Sequence, residues 1–356
     1  MKSYRPTGGM MFLALLFAFI HVSGLSAYGG DEISRKPWEY SLGEGMSIAD
    51  TGLRLGGYAS VEYEDATNDS GKLYFDDLSL FIFGDISRRW SFFSEVEEAH
   101  FAQIDVNGRT TTHSNAELER LHLDYMNSDR LGFRAGKFLT PIGIWNEIHA
   151  EPLTWTVSRP LVSFLGFPEF TTGIELFGDI PAADGDIGYS VFLQNNQGLQ
   201  EKTNFRNADH IFGGRVRWLG PRGVEAGIPL LYYKEDSGDR VYMTGFDFSW
   251  RAADFNITAE GTYGSVDPES ADPSHEYGYY LQGVYSVTAR HSLVLRHEYL
   301  KGRAADGIFR ALSVGGVYKL TGQVVFKGEY LIRGGSMRLE DVNSSDEVLF
   351  SSSILF

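Results

Sequence analysis

The sequence predicts an all-β fold: a transmembrane antiparallel β-barrel of about sixteen strands, with short turns at one end and longer loops at the other. Three observations lead there. Beyond residue 50, apolar and polar residues alternate with a period of two in one segment after another. The links between these segments are alternately short and long. The first 27 residues, finally, have the layout of an export signal.

Residues 1–27 come first. Lys2 and Arg5 supply a positive start, Met10 to Val22 is an apolar run, and small residues follow in Ser23-Gly24-Leu25-Ser26-Ala27. This reads as a secretory signal peptide; the run is short for a helix crossing a bilayer core of ~30 Å. Residues 28–50 carry no clear pattern and read as a short periplasmic lead-in. The barrel domain is expected over 51–356.

Composition supports one domain of many short strands. Aromatic residues make up 14% of the chain and there are 41 glycines, yet the mean hydropathy is negative. Tight turns joining strands with one apolar and one polar face would give that combination. The chain has no cysteine, which excludes disulfides and a cysteine-linked lipid anchor. With 31 Lys and Arg against 47 Asp and Glu, and no basic stripe, nucleic acid is excluded as a partner.

The strands follow in order near 53–63, 73–86, 90–101, 116–126, 131–138, 170–180, 186–195 and 210–219. Eight more lie near 224–234, 240–250, 254–264, 276–288, 290–301, 309–320, 322–332 and 348–356. Leu121-His122-Leu123-Asp124-Tyr125 and Phe255-Asn256-Ile257-Thr258-Ala259-Glu260 show the alternation most cleanly. Alternation alone fits a soluble sandwich as well. The links decide: Ser87-Arg88-Arg89, Gly220 to Gly223 and Thr321 are short, whereas Ala102 to Asn115, Asn196 to Asp209 and Gly334 to Glu347 are long. A sandwich has no reason to keep one end short; a membrane barrel does.

A closed sheet also explains how so polar a chain lives in lipid, since closure leaves no backbone group unpaired at an edge. Tyr74, Trp90, Tyr125, Trp218, Tyr232, Trp250, Tyr285 and Tyr299 fall near strand ends, where interfacial girdles form. The expected location is the bacterial outer membrane, with the lipid bilayer and lipopolysaccharide as partners. The last segment, Val348 to Phe356, ends on an aromatic residue that shares a face with Ile354 and Phe350. Such an end resembles the signal read by the bacterial outer-membrane assembly machinery, which makes Phe356 the expected contact.

The longest link, 139–169, follows Gly136-Lys137-Phe138-Leu139-Thr140-Pro141-Ile142-Gly143. This stretch resembles the Gly-basic-Phe-x-x-Pro-apolar-Gly pattern of outer-membrane porins distantly related to the phosphate-selective porin O and P family. The motif spans about a dozen residues, and the remaining likeness is architectural. The resemblance implies a water-filled channel for ions and small hydrophilic solutes, a homotrimer, and a third external loop that folds inward as a constriction. Trp145, Trp155, Phe164 and Phe167 suit a packed loop.

Strand parity assigns Arg54, Arg120, Arg134, Arg215, Arg217, Arg296 and Lys327 to the lumen, together with Asp77, Glu95, Glu97, Asp124, Glu175, Glu225, Glu260, Glu298 and Glu329. So mixed and slightly acidic a wall departs from the cationic cluster of phosphate-selective channels. Two readings remain open: a transverse field with Arg54, Arg120 and Arg134 facing Glu147, Glu151 or Glu169 on the loop, or salt bridges that stiffen the barrel. An enzyme, an adhesin or a plugged barrel are the rival classes. His149 lies between Glu147 and Glu151, but neither Gly-x-Ser-x-Gly nor His-Glu-x-x-His occurs. Asp65 to Gly71 lacks EF-hand spacing, and no cofactor or metal is expected.

Overall fold

The computed structural model describes residues 38–67, 70–112, 116–148, 150–201, 206–303, 307–337 and 345–356. The signal peptide, His113 and His149 lie outside them, as do parts of the Asp65–Gly71 and Glu340–Glu347 loops.

Sixteen long strands form one antiparallel sheet. They are β1 (Leu53–Ala66), β2 (Lys72–Asp85), β3 (Trp90–Asp105), β4 (Ala116–Ser128), β5 (Leu131–Leu139), β6 (Phe170–Ala182), β7 (Gly185–Asn195) and β8 (Ala208–Leu219). The second half comprises β9 (Val224–Glu235), β10 (Arg240–Ala252), β11 (Phe255–Asp267), β12 (Ser274–Ser286), β13 (His291–Lys301), β14 (Ile308–Lys319), β15 (Val324–Gly335) and β16 (Glu347–Leu355). Each strand pairs with the next, and β16 pairs antiparallel with β1, from Glu347↔Ala66 to Leu355↔Tyr58. The sheet is therefore a closed barrel. Every strand expected from alternation is present, displaced by a few residues at most.

The seam is completed at its end by Phe356. Its N–H donates to the Gly57 carbonyl at 2.8 Å, and the Gly57 N–H donates to the Phe356 carbonyl at 2.9 Å. The lead-in has more order than its sequence suggested. Tyr40–Ser41 and Gly45–Ser47 form a small hairpin whose second strand pairs with the start of β1, Met46↔Leu55 and Ser47↔Arg54. Gly43, Gly45 and Gly52 adopt the left-handed backbone that lets so short a segment double back (φ of 80°, 74° and 77°).

Burial alternates along the strands as the sequence alternates. On β13, Leu293 and Leu295 point outward and are more than half exposed, whereas Ser292, Val294, Arg296 and Glu298 point inward and are buried. Outward aromatics pair across strands: Trp90 with Tyr125 (4.9 Å), Tyr232 with Tyr242 (5.1 Å) and Phe255 with Tyr285 (4.8 Å). Tyr74 differs from its companions. It lies opposite Glu62, on the inward face, and packs edge-on against His100. A bulge between Phe75 and Asp77 lets β2 carry two successive inward carboxylates, Asp76 and Asp77.

The interior is not empty. The 140–169 segment, hereafter loop 3, contains a short 3-10 turn (Glu151–Leu153) and one turn of α-helix (α1, Leu161–Leu165), and it packs inside the barrel. Ile142 and Phe167 join inward side chains of β5, β7, β8 and β10, among them Phe138, Phe192, Ile211 and Met243. Val157 and Leu161 meet Leu300, Phe309, Leu331 and Leu349. Burial of this apolar surface holds loop 3 against the wall.

Candidate functional site

Loop 3 is braced within itself before it meets the wall. Asn146 donates its side-chain N–H groups to the carbonyls of Thr140 (2.8 Å) and Glu169 (3.2 Å), tying the two ends of the loop together. Arg159 bridges Asn146 Oδ1 (3.0 Å) and the Glu169 carboxylate (2.5 Å). Gly143 takes a left-handed backbone, φ 74°, where a Cβ would run into the Glu260 carboxylate. This explains the glycine that ends the sequence motif, because Glu260 accepts the Trp145 N–H at 2.8 Å, and its approach needs that space.

Two buried cations then fasten the loop. Arg296 on β13 is fully buried; it donates to Ser158 O at 2.9 Å and to the Thr156 and Ser158 hydroxyls. Glu329 accepts the Ser158 N–H (2.9 Å) and hydroxyl (2.8 Å), and Glu298 accepts the Leu161 N–H (2.9 Å). Lys327 on β15 reaches Glu151 Oε1 (2.9 Å), Thr154 Oγ1 (2.6 Å) and Thr156 O (3.2 Å). Ser351 on β16 donates to Glu151 at 2.6 Å. With its far partners on β11 to β16, loop 3 leaves part of the inward face of β2 to β5, around Phe83, Phe93, Arg120 and Arg134, bordering open space.

The residues expected to line the constriction are held in local ion pairs. Arg54 holds the lead-in, donating to Gly45 O at 3.0 Å and contacting the Glu44 side chain at 3.5 Å. Arg120 is paired with Glu95 on the neighbouring strand at 2.5 Å. Arg134 grips Asp124 with two bonds of 2.8 Å and reaches Glu175 at 3.2 Å. Glu147 instead meets Arg215 at 2.6 Å, Glu151 meets Lys327, and Glu169 is held within the loop. Among the described residues no ion pair joins Arg54, Arg120 or Arg134 to Glu147, Glu151 or Glu169. Residues two positions apart or directly opposite on one face of the sheet are neighbours, and nearness on the wall wins over the lumen's width.

Arg215 is shared among three carboxylates, with Asp247 at 3.0 Å and 2.5 Å, Glu147 at 2.6 Å and Glu225 at 3.4 Å. Arg217 makes looser contacts, 3.8 Å to Asp179 and 3.7 Å to Glu225. Asp247 and Arg159 were not anticipated. The alternation Phe246-Asp247-Phe248 carried the signal for Asp247, whereas nothing in the sequence marks Arg159 as a brace.

A cavity of about 350 Å³ lies beside the unfilled wall, bounded by Phe83, Phe93, Arg120, His122, Arg134 and Glu147, among others. Its aromatic side is layered. The Arg120 guanidinium sits 4.2 Å from the Phe93 ring centroid, and His122 stacks on Phe93 at 5.5 Å with 11° between the planes. The remaining charges on this face are mixed, with Glu95, Glu97, Asp124 and Glu175 against Arg120 and Arg134.

At the outer end, Arg206 contacts Glu276 and Tyr233, and Arg303 bridges Glu235 (2.5 Å), Asp239 (3.3 Å) and Glu276 (2.9 Å). Both arginines are held more firmly protonated than usual; burial works against this, and the surrounding carboxylates more than offset it. Lys137 faces outward but is covered. Its ammonium donates to the carbonyls of Leu118 (2.7 Å) and Gln200 (2.9 Å), so the 196–201 segment lies over the outside of β4 to β6.

Residues 92–356 match the family described as "Putative beta-barrel porin-2, OmpL-like". The chain belongs to this family of barrel porins. An uncharacterized protein of Aquifex aeolicus is 24% identical over 277 residues, covering 66% of this chain. The chain spans 62% of the length of that relative. Among solved structures, the porin barrel is similar to OmpT of Vibrio cholerae, an outer membrane protein, with a TM-score of 0.62, 13% identity, and coverage of 86% of this chain and 99% of that one. It is also similar to an anion-selective porin from Comamonas acidovorans, with a TM-score of 0.61, 14% identity, and coverage of 85% and 99%. The Salmonella typhi OmpF structure gives 0.60, 13%, 87% and 99%. At these identities the likeness is one of fold. The porin family and its barrel place the protein in the bacterial outer membrane.

Proposed function

We propose that the porin is a water-filled channel for passive diffusion of ions and small hydrophilic solutes, leaning toward cations. The observation that carries this reading is a closed sixteen-stranded barrel whose loop 3 fills one side of the lumen and leaves a charged cavity on the other. Carboxylates outnumber cations around the cavity, with Glu95, Glu97, Asp124, Glu147 and Glu175 against Arg120 and Arg134, and wall charge sets ion preference. The phosphate-selective alternative would need unpaired cations gathered at the narrowing, whereas Arg120, Arg134 and Arg215 each hold at least one carboxylate. A transport role is favoured over an enzymatic one by the porin family; a barrel hydrolase would need a nucleophile beside a base.

Reconstitution in planar bilayers tests the proposal. A steady conductance with a reversal potential on the cation side supports it, whereas a silent membrane overturns the channel and an anion-side potential overturns the preference. A homotrimer, contact with lipopolysaccharide, and recognition of Phe356 by the outer-membrane assembly machinery belong to the same proposal. Cross-linking in native membranes reads the first.

A further inference from the structure

We infer that the cavity beside β2 to β5 is a solute subsite for zwitterions with an apolar body, such as amino acids with aromatic or large apolar side chains. This rests on the channel reading above and specifies what the channel prefers.

Three features of the cavity point to one ligand chemistry. Its cationic group has donors to spare: Arg120 gives its Nε–H to Glu95, while neither of its Nη atoms has a hydrogen bond among the described residues. Its anionic group is similarly half-engaged. Glu147 accepts from Arg215 on Oε2, its Oε1 has no hydrogen bond among the described residues, and 37% of the side chain is exposed. The rings of Phe83 and Phe93, both partly exposed, line the same cavity, an apolar surface that a water-filled passage for ions has no need of. Arg134, by contrast, is engaged by Asp124 through a two-bond clamp and by Glu175, so it adds little to the recognition of an anion.

A carboxylate fits the Arg120 Nη pair, since guanidinium groups bind carboxylates through parallel N–H donors. The stack on Phe93 fixes the guanidinium plane without consuming those donors. An ammonium fits the free oxygen of Glu147, and an apolar or aromatic body fits the rings. A volume of about 350 Å³ stands at the lower end of the range for small-molecule sites. An inorganic anion would leave the aromatic floor unused and face the nearby carboxylates; a simple cation would ignore Arg120. Glycine carries both charges but lacks the body. The subsite is open at the passage, so binding is expected to be weak, as transport requires: a solute must leave as readily as it enters.

The test uses the full-length porin in planar bilayers with L-phenylalanine, glycine and 3-phenylpropionate as probes. Phenylalanine should interrupt the ion current in a concentration-dependent way, with glycine and 3-phenylpropionate each about tenfold weaker because each lacks one of the matching groups. Phe93→Ala should weaken the phenylalanine block about tenfold, and Arg120→Gln should do the same. Equal block by phenylalanine and glycine, or an unchanged block in Phe93→Ala, overturns the subsite. If the bilayer shows no conductance at all, the channel reading fails by itself. Calorimetric titration of phenylalanine into detergent-solubilised protein then decides the subsite: heat that disappears in Phe93→Ala supports it, and no heat overturns it.

Discussion

The ammonium of Lys327 on β15 lies 2.9 Å from Oε1 of Glu151 on loop 3, with both side chains at most 10% exposed. It also donates to Thr154 Oγ1 and to the Thr156 carbonyl, so one lysine secures a whole turn of the loop. Replacing it with Met would leave the Glu151 carboxylate buried and uncompensated, a change that costs about 3–5 kcal/mol in comparable buried pairs. Lys327→Met should give a larger, noisier single-channel current and a lower urea midpoint in lipid vesicles. A parent-like trace and midpoint would remove the latch from the account.

The same pair carries a pH dependence. Burial raises the pKa of Glu151 above its ordinary value, and Lys327 offsets this only in part. The docked loop therefore binds a proton more readily than the released loop does. By linkage, that contribution to docking is fully present below the ordinary glutamate pKa and is lost as the pH rises through the raised one. Fluctuations of the open current should accordingly be fewer in mild acid than at neutral pH, and Glu151→Gln should flatten the dependence. Noise that grows on acidification in the parent would contradict this.

Arg215 and Asp247 form a deeply enclosed pair on the barrel wall, their side chains 3% and 1% exposed. Arg215→Ala strands the Asp247 carboxylate and frees Glu147, with an expected loss of about 3–5 kcal/mol. The double variant Arg215→Met with Asp247→Leu should recover most of it, because an apolar pair carries no desolvation penalty. Denaturant unfolding of the folded band on unheated gels measures both. Equal losses in the single and double variants would refute the pairing argument.

Glu147 projects toward the cavity with part of its carboxylate free. Glu147→Lys reverses one charge beside the cavity, and the reversal potential in a salt gradient should move toward anions. The shift should shrink at high ionic strength, since the Debye length falls from about 10 Å at 0.1 M to about 3 Å at 1 M.

Phe356 closes the seam through its two backbone bonds with Gly57. Deletion of the residue removes both, and at an edge facing lipid an unpaired backbone group finds no water. Folding into vesicles should slow, read as delayed appearance of the heat-modifiable band, while Phe356→Ala, which keeps the backbone bonds, should be milder. If deletion folds at the parent rate, the seam does not depend on this residue.

The strands were legible because a lipid-facing wall imposes period two on every segment, so Leu121 to Tyr125 or Phe255 to Glu260 announce their own faces. Parity also separated Arg120, Arg134 and Arg215 from the bilayer without any knowledge of neighbours. Where a bulge intervenes, parity falters. Asp76 joins Asp77 on the inside only because β2 slips by one residue there.

What the sequence determined by itself was the number of strands, the short and long ends and the facing of most side chains, all of which follow from local alternation and turn length. What only the tertiary structure decided was partnership. Glu147 finds Arg215 from 68 residues away, and Lys327 finds the Glu151 backbone from 176. Such pairs depend on barrel closure and on the path of loop 3 across the lumen, which is set by the burial of Ile142, Val157, Leu161 and Phe167 against distant strands. Apolar burial has no preferred partner along the chain, so that path cannot be read from spacing. The cavity left beside β2 to β5, with Phe93 beneath Arg120, is the consequence of that packing.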